Sequence, residues 1–235
     1  MSANGSQRDA RGRGGAERRY LTVMFIDLVG FTQLSDELEA EDLHALSTRY
    51  QQLALAVMER FGGFVANFFG DGVLVYFGYP AAHGNDAERS LRASLELVER
   101  ISALEVVVGA EDQRRMAVRI GVHSGPVIIG PEVMSAGPIS HGVVGKAANL
   151  AARLQNEAPP NGVVVSRETM EIVEDAFEFA PLGPRRLKGL ANPVEVFQVL
   201  TPKASSPSRA ASPNRRLSTF VDREGELAEI LSRWR

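Results

Sequence analysis

Residues 64 to 78 read FVANFFGDGVLVYFG. Two apolar runs rich in β-branched and aromatic residues flank Gly70-Asp71-Gly72, which is a hairpin pattern. A lone hairpin is not stable in water, so its neighbours must supply more sheet and a cover for one face. Upstream, DELEAEDLHALSTRYQQLALAVMERFGG (36–63) carries apolar residues at helical spacing and stops at Gly62-Gly63. Before it, YLTVMFID (20–27) is a β-rich run closed by a carboxylate, Asp27. Downstream, NDAERSLRASLELVERISAL (85–104) predicts a second long amphipathic helix with an Asn/Asp start. MAVRIGVHSGPVIIG (116–130) reads as one or two strands. AANLAARLQNEA (147–158) reads as a short helix ended by Pro159-Pro160. GVVVS (162–166) and VEVFQVL (194–200) read as late strands.

The order β-α-β-β-α-β predicts an α+β fold. It is a ferredoxin-like core with extra strands, one sheet with helices on one face. The chain has 235 residues, enough for one sizeable domain with extensions. That domain is expected over residues 19–200. Residues 1–18, Gly-, Arg- and Ser-rich without periodicity, read as a disordered basic tail. Residues 201–217 are Pro/Ser-rich with basic but no acidic side chains, which is linker chemistry. Residues 218–235 begin with a capping-type Ser/Thr and turn helical.

Composition narrows the function. A net charge of −3 gives no basic field for nucleic acid, so none is expected as a partner. The absence of cysteine excludes disulfides, thiolate metal sites and thiol catalysis. No apolar run approaches the roughly 18 to 20 residues of a membrane helix, and no secretory signal is visible. A cytoplasmic protein is expected.

The chemistry concentrates on two carboxylates. In a β-α-β-β order the first strand and the following hairpin are neighbours, so Asp27 and Asp71 would meet at one edge. Two carboxylates beside a glycine-lined backbone suit a hard divalent cation that also takes substrate phosphates and water. Asp71 alone reads as a turn residue, since Asp is common there. Asp27, closing an apolar strand beside a Gly-containing turn, shifts the balance towards a metal site.

RRYLTVMFIDLVGFTQLSD, GDGVLVYFGYPAAHGNDAERSLRASL, VRIGVHSGPVIIG and VVGKAANLAARLQ together resemble the class III adenylate/guanylate cyclase catalytic domain. The resemblance is strongest to the bacterial type that precedes a STAND/AAA-type ATPase region. It covers residues 18 to 200, with the motifs in order. FVDREGELAEIL near the end is similar to the start of that ATPase-type region, which is therefore expected to be covalently attached in a longer protein. The family resemblance implies a head-to-tail homodimer with two sites, each built from both copies. It implies conversion of ATP to 3′,5′-cyclic AMP and pyrophosphate, with Mg²⁺ or Mn²⁺, two per site. Asp27 and Asp71 match the metal-binding aspartates. Phe31 and Thr32 match the turn and helix start that hold the triphosphate, where amide N–H groups suit phosphate oxygens. Arg119 and Lys188 match cationic positions on the phosphates. Asn149 and Arg153 match the catalytic pair that orients the ribose and stabilises the transition state. Read without the family, Asn149 is equally a helix-start amide and Arg153 a solvated charge, while Lys188 is a surface lysine. His123 reads as structural.

The sequence departs from the family at the purine-selecting positions. Asn67 stands where adenylate cyclases usually carry a lysine, and Gly142 where they carry Asp or Thr. The Glu and Cys of guanylate cyclases are absent as well. Asn67 keeps a donor and an acceptor for an adenine edge, and Gly142 offers only backbone. The departure leaves three alternatives: an adenylate cyclase, a cyclase with relaxed purine specificity, and a catalytically weak or inactive nucleotide-binding dimerisation module. A P-loop reading of VVGKAA fails, because Ser140 stands where the first glycine belongs and no Ser/Thr follows Lys146.

Overall fold

The computed structural model of the chain describes residues 17–108, 112–129, 143–144 and 146–203. The expected tail through residue 16, Gly142, and the linker and helical start from residue 204 lie outside the described residues. In chain order the elements begin with β1 (Glu17–Leu28), α1 (Phe31–Glu37), α2 (Ala40–Arg60), β2 (Phe64–Phe69) and β3 (Gly72–Phe77). Next come α3 (Asp86–Ser102), a separate ribbon of β4 (Glu105–Val108) and β5 (Asp112–Arg115), and β6 (Val118–Ile129). The remainder is β7 (Val143–Val144), α4 (Lys146–Glu157), β8 (Gly162–Ser166), α5 (Arg167–Val173), β9 (Phe177–Arg185) and β10 (Val194–Pro202).

The main sheet runs β2-β3-β1-β6-β8-β10-β9, with β7 paired to the end of β6. β1 and β6 form its spine, antiparallel from Glu17 opposite Ile129 to Leu28 opposite Val118. The segment read as one or two strands is therefore a single strand. β6 and β8 are parallel, and α4 is the crossover such a pair needs. The order β6-β1-β3-β2 with its connecting helices is the expected ferredoxin-like core.

Strand periodicity decides what covers each face. Met24 and Ile26 of β1, Val73 and Val75 of β3, and Val118, Ile120 and Val122 of β6 point to one side. There they meet Tyr50, Ala54, Val57 and Met58 of α2 and Leu91, Leu97 and Ile101 of α3. These α2 positions fall three to four apart, the stripe a helix needs to lie on a sheet. The alternate residues Leu21 and Val23 of β1 and Leu74 and Tyr76 of β3 face the other way, against Ala147 and Ala151 of α4. The two long core helices thus share one face as expected, and α4 adds cover on the opposite face.

The helix expected from residue 36 is instead two. Gly30, at φ 76°, turns the chain out of β1 straight into α1, and Leu38 and Glu39 are extended before α2 begins. Asn85 sits at the start of α3 as expected, but its side chain makes no capping bond.

Candidate active site

Asp27 is the penultimate residue of β1, and its cross-strand partner on β6 is Arg119. Asp71 occupies the second position of the two-residue loop between β2 and β3. Gly70, at φ 66°, takes the first, the left-handed position that primed hairpin turns reserve for glycine. β3 lies directly beside β1, so the hairpin tip is delivered to the end of β1. The two carboxyls meet there. Burial is the main cause that pushes Asp27 up to about 6, followed by the charge of Asp71 and a hydrogen bond with it. The Arg119 guanidinium and a hydrogen bond from Gln155 act in the opposite direction.

Gln155 comes from α4. Its Nε2 donates to Asp27 Oδ2 at 3.3 Å. This reach depends on Gly121 of β6: a Cβ there would lie 2.2 Å from Gln155 N and 2.3 Å from Ala151 O. The bare glycine lets the α4 backbone settle directly on the sheet. Between α4 and the strands runs a groove of about 380 Å³ lined by Phe25, Asp27, Phe69, Gly72, Ala152 and Gln155. Phe25 and Phe69 stack with ring centroids 6.4 Å apart, and Phe69 is 54% exposed.

Asn67 reaches this same face through an irregularity. Val65 pairs with Val75, but Asn67 pairs with Leu74, so Ala66 is an extra residue in β2. An unbroken register would put Asn67 opposite Val73, pointing into the core of α2 and α3. The bulge re-aims it to the side of Leu74, which packs with α4. Asn67 Oδ1 accepts from Phe68 N at 2.9 Å, leaving its amide N–H₂ uncommitted among the described residues.

The remaining predicted residues are spread out. Phe31 and Thr32 form the first turn of α1, which has neither a side-chain cap nor an acidic residue. Arg119 is half-buried, and its Nε has no partner among the described residues. Lys188 is exposed in the β9–β10 connection, beside Leu187, which packs on Leu154 of α4. Asn149 is exposed and Arg153 half-exposed on α4, and neither lines the groove. One chain therefore brings together Asp27, Asp71 and Arg119, and the Asn149–Arg153 pair does not line the groove beside Asp27. His123 is buried, its Nδ1 2.7 Å from Ser166 Oγ. It belongs to a polar cluster in which Thr22, Ser124 and Thr169 are also bonded to one another.

Two residues at the site were missed from sequence: Gln155, and Tyr50 of α2, whose hydroxyl feels both carboxylates. Gln155 lies two positions after Arg153 in a motif already singled out. Tyr50 is hidden inside an apolar stripe, where an aromatic residue carries no separate signal.

The donor set fits a hard divalent cation. Two hard carboxylate oxygens are crowded and partly buried, a repulsion that a cation relieves. Among the described residues no third Asp, Glu or His joins them, so phosphate and water would complete the shell.

Comparison with known proteins decides the family. Residues 16–201 match the adenylate and guanylate cyclase catalytic domain. The chain belongs to that family. This cyclase domain is 27% identical over 187 residues to adenylate cyclase 1 of Rhizobium meliloti (strain 1021), covering 79% of this chain. It spans only 21% to 28% of the length of the Rhizobium meliloti relatives it matches. Among solved structures it superposes on the adenylyl cyclase CyaB of P. aeruginosa with a TM-score of 0.72 and 27% identity. That match covers 79% of this chain and 96% of the other. The guanylate cyclase domain of RhGC from Catenaria anguillulae, solved in complex with GTP, shares the fold at a TM-score of 0.73 and 24% identity. It covers 80% of this chain and 100% of the other. Among the described residues, no helix is long and apolar enough to cross a membrane.

Proposed function

We propose that this cyclase domain converts ATP to 3′,5′-cyclic AMP and pyrophosphate, working as a homodimer whose sites each draw on both copies. The observation that carries the reading is the carboxylate pair, Asp27 and Asp71, gathered opposite Arg119 at the head of an apolar groove.

Asp27 and Asp71 would hold Mg²⁺ or Mn²⁺. When bound, such ions acidify a ribose hydroxyl and neutralise charge on a leaving pyrophosphate. The chain's own residues do the rest. Gln155 fixes the orientation of Asp27. Arg119 and Lys188 take up negative charge on the triphosphate, and the open N–H groups of Phe31 and Thr32 bind its oxygens. The ribose 3′-oxygen forms a bond to the α-phosphorus while the bond to the bridging oxygen breaks. The electron pair leaves with pyrophosphate, and the hydroxyl proton passes to water or phosphate. Asn149 and Arg153 of a second copy orient the ribose and stabilise the charge that builds on the α-phosphate. Neither side chain lines the groove of its own chain, which supports that division of labour.

Asn67, turned onto the site face by its bulge, would read the adenine edge with its free amide. An uncharged amide discriminates less than a lysine, so ATP is preferred over GTP by a reduced margin. The likeness to adenylate cyclase 1 and to CyaB supports adenine. The same reading puts the domain in the cytoplasm, attached to an ATPase-type region that begins near FVDREGELAEIL.

The test is product formation by the purified chain with ATP or GTP and Mn²⁺ or Mg²⁺. Cyclic AMP is expected as the main product, with some cyclic GMP. No cyclic product in any combination, with nucleotide still binding, would replace this reading by that of a non-catalytic nucleotide-binding module.

A further inference from the structure

Tyr50 is 1% exposed in the core beneath the sheet, and its hydroxyl has no hydrogen-bond partner among the described residues. Leaving such a group unpaired costs stability, because its lost hydration is not replaced. Phenylalanine would fill the same space at no such cost, so the hydroxyl calls for an explanation.

Its place in the fold supplies one. The next residue, Gln51, reaches the carbonyl of Gly70 at 3.5 Å, so this turn of α2 lies against the hairpin tip that carries Asp71. Ile26 and Leu28, which flank Asp27, belong to the same buried cluster as Tyr50. Burial, then the charges of Asp27 and Asp71, hold the phenol well above the ordinary tyrosine range. The hydroxyl is thus a donor within electrostatic reach of both carboxylates and bonded to neither among the described residues.

Resting on the reading of Asp27 and Asp71 as the cation site, we propose that Tyr50 is a positioning residue for the carboxylate pair. Its hydroxyl donates to a carboxylate oxygen that the bound cation leaves free. A carboxylate that gives one oxygen to a cation needs a donor on the other, and such outer partners fix the ligand's orientation. Gln155 serves Asp27 Oδ2 from the α4 side of the sheet. Tyr50 is the matching donor from the α2 side. The pair is thereby gripped from both layers.

The experiment compares Tyr50→Phe with the unchanged chain in two measurements: titration with Mn²⁺ alone, followed by electron paramagnetic resonance of the free ion, and thermal unfolding without added metal. The expected result is a Kd for Mn²⁺ raised roughly tenfold, with an unfolding midpoint unchanged or higher. A Kd within about twofold of the unchanged chain overturns the proposal, since that is the result for a tyrosine that only packs. A clearly lowered midpoint overturns it too, because the hydroxyl would then be bonded without the cation. If the unchanged chain binds no Mn²⁺, or Asp71→Ala binds it equally well, the cation site itself is wrong and the proposal falls with it.

Discussion

Asp71 sits on a two-residue loop whose only other member is glycine, and no packing role accounts for its charge. If it holds a cation for catalysis, Asp71→Ala should lower kcat/KM by roughly a hundredfold or more while the domain stays folded. Steady-state kinetics with circular dichroism as a folding check would show this, and near-normal turnover would remove Asp71 from the site. Asn67 tests substrate choice. Asn67→Lys should raise the ratio of kcat/KM for ATP over GTP by about tenfold, the worth of one charge-assisted contact. An unchanged ratio would mean that the base is read elsewhere. His123 tests the structural role assigned to it. Burial holds its imidazole below the ordinary range, against a weaker pull from Glu168, so the folded chain resists protonation more than the unfolded one. Its contribution to stability is therefore complete above about pH 6.5 and is lost as pH falls below that value towards the folded pKa. Unfolding midpoints measured downwards from neutral pH should drop more steeply for the unchanged chain than for His123→Gln.

At the scale of elements, Gly121 governs how closely α4 approaches the sheet. Gly121→Ala has to push the α4 backbone away, because the nearest atoms are main chain and cannot swing aside. A destabilisation of about 1 to 3 kcal/mol is expected in urea unfolding. Activity should fall with it, since Gln155 loses its reach to Asp27. Little of this was legible beforehand. The hairpin, the long helices and the order of strands follow from periodicity and glycine stops, which are local. The bulge at Ala66 is not, because nothing in FVANFF marks which residue is extra, and it alone decides which face Asn67 occupies. The break at Leu38 and Glu39 was hidden for a similar reason: the apolar spacing runs on through it. Asp27 and Asp71 were legible because strand order brings them together. Gln155 and Tyr50 were not, because their meaning depends on helix placement above and below the sheet.

At the scale of the whole molecule, the proposed mechanism gives one chain two half-sites. Asp27 lines the groove together with Ala152 and Gln155 of α4, and neither Asn149 nor Arg153 lines it. If, as proposed, neither half completes the chemistry alone, activity should depend on protein concentration wherever dimerisation is incomplete. The most direct measurement is cyclic AMP formation by Asp71→Ala and Arg153→Ala proteins, assayed separately and then mixed in equal amounts. Each alone should be nearly inactive. In a symmetric dimer, half of the randomly paired molecules are mixed, and each of those keeps one intact site of two. The mixture should therefore recover about a quarter of the unchanged chain's activity. A mixture no more active than the two proteins apart, with both shown to dimerise, would contradict a site shared between copies.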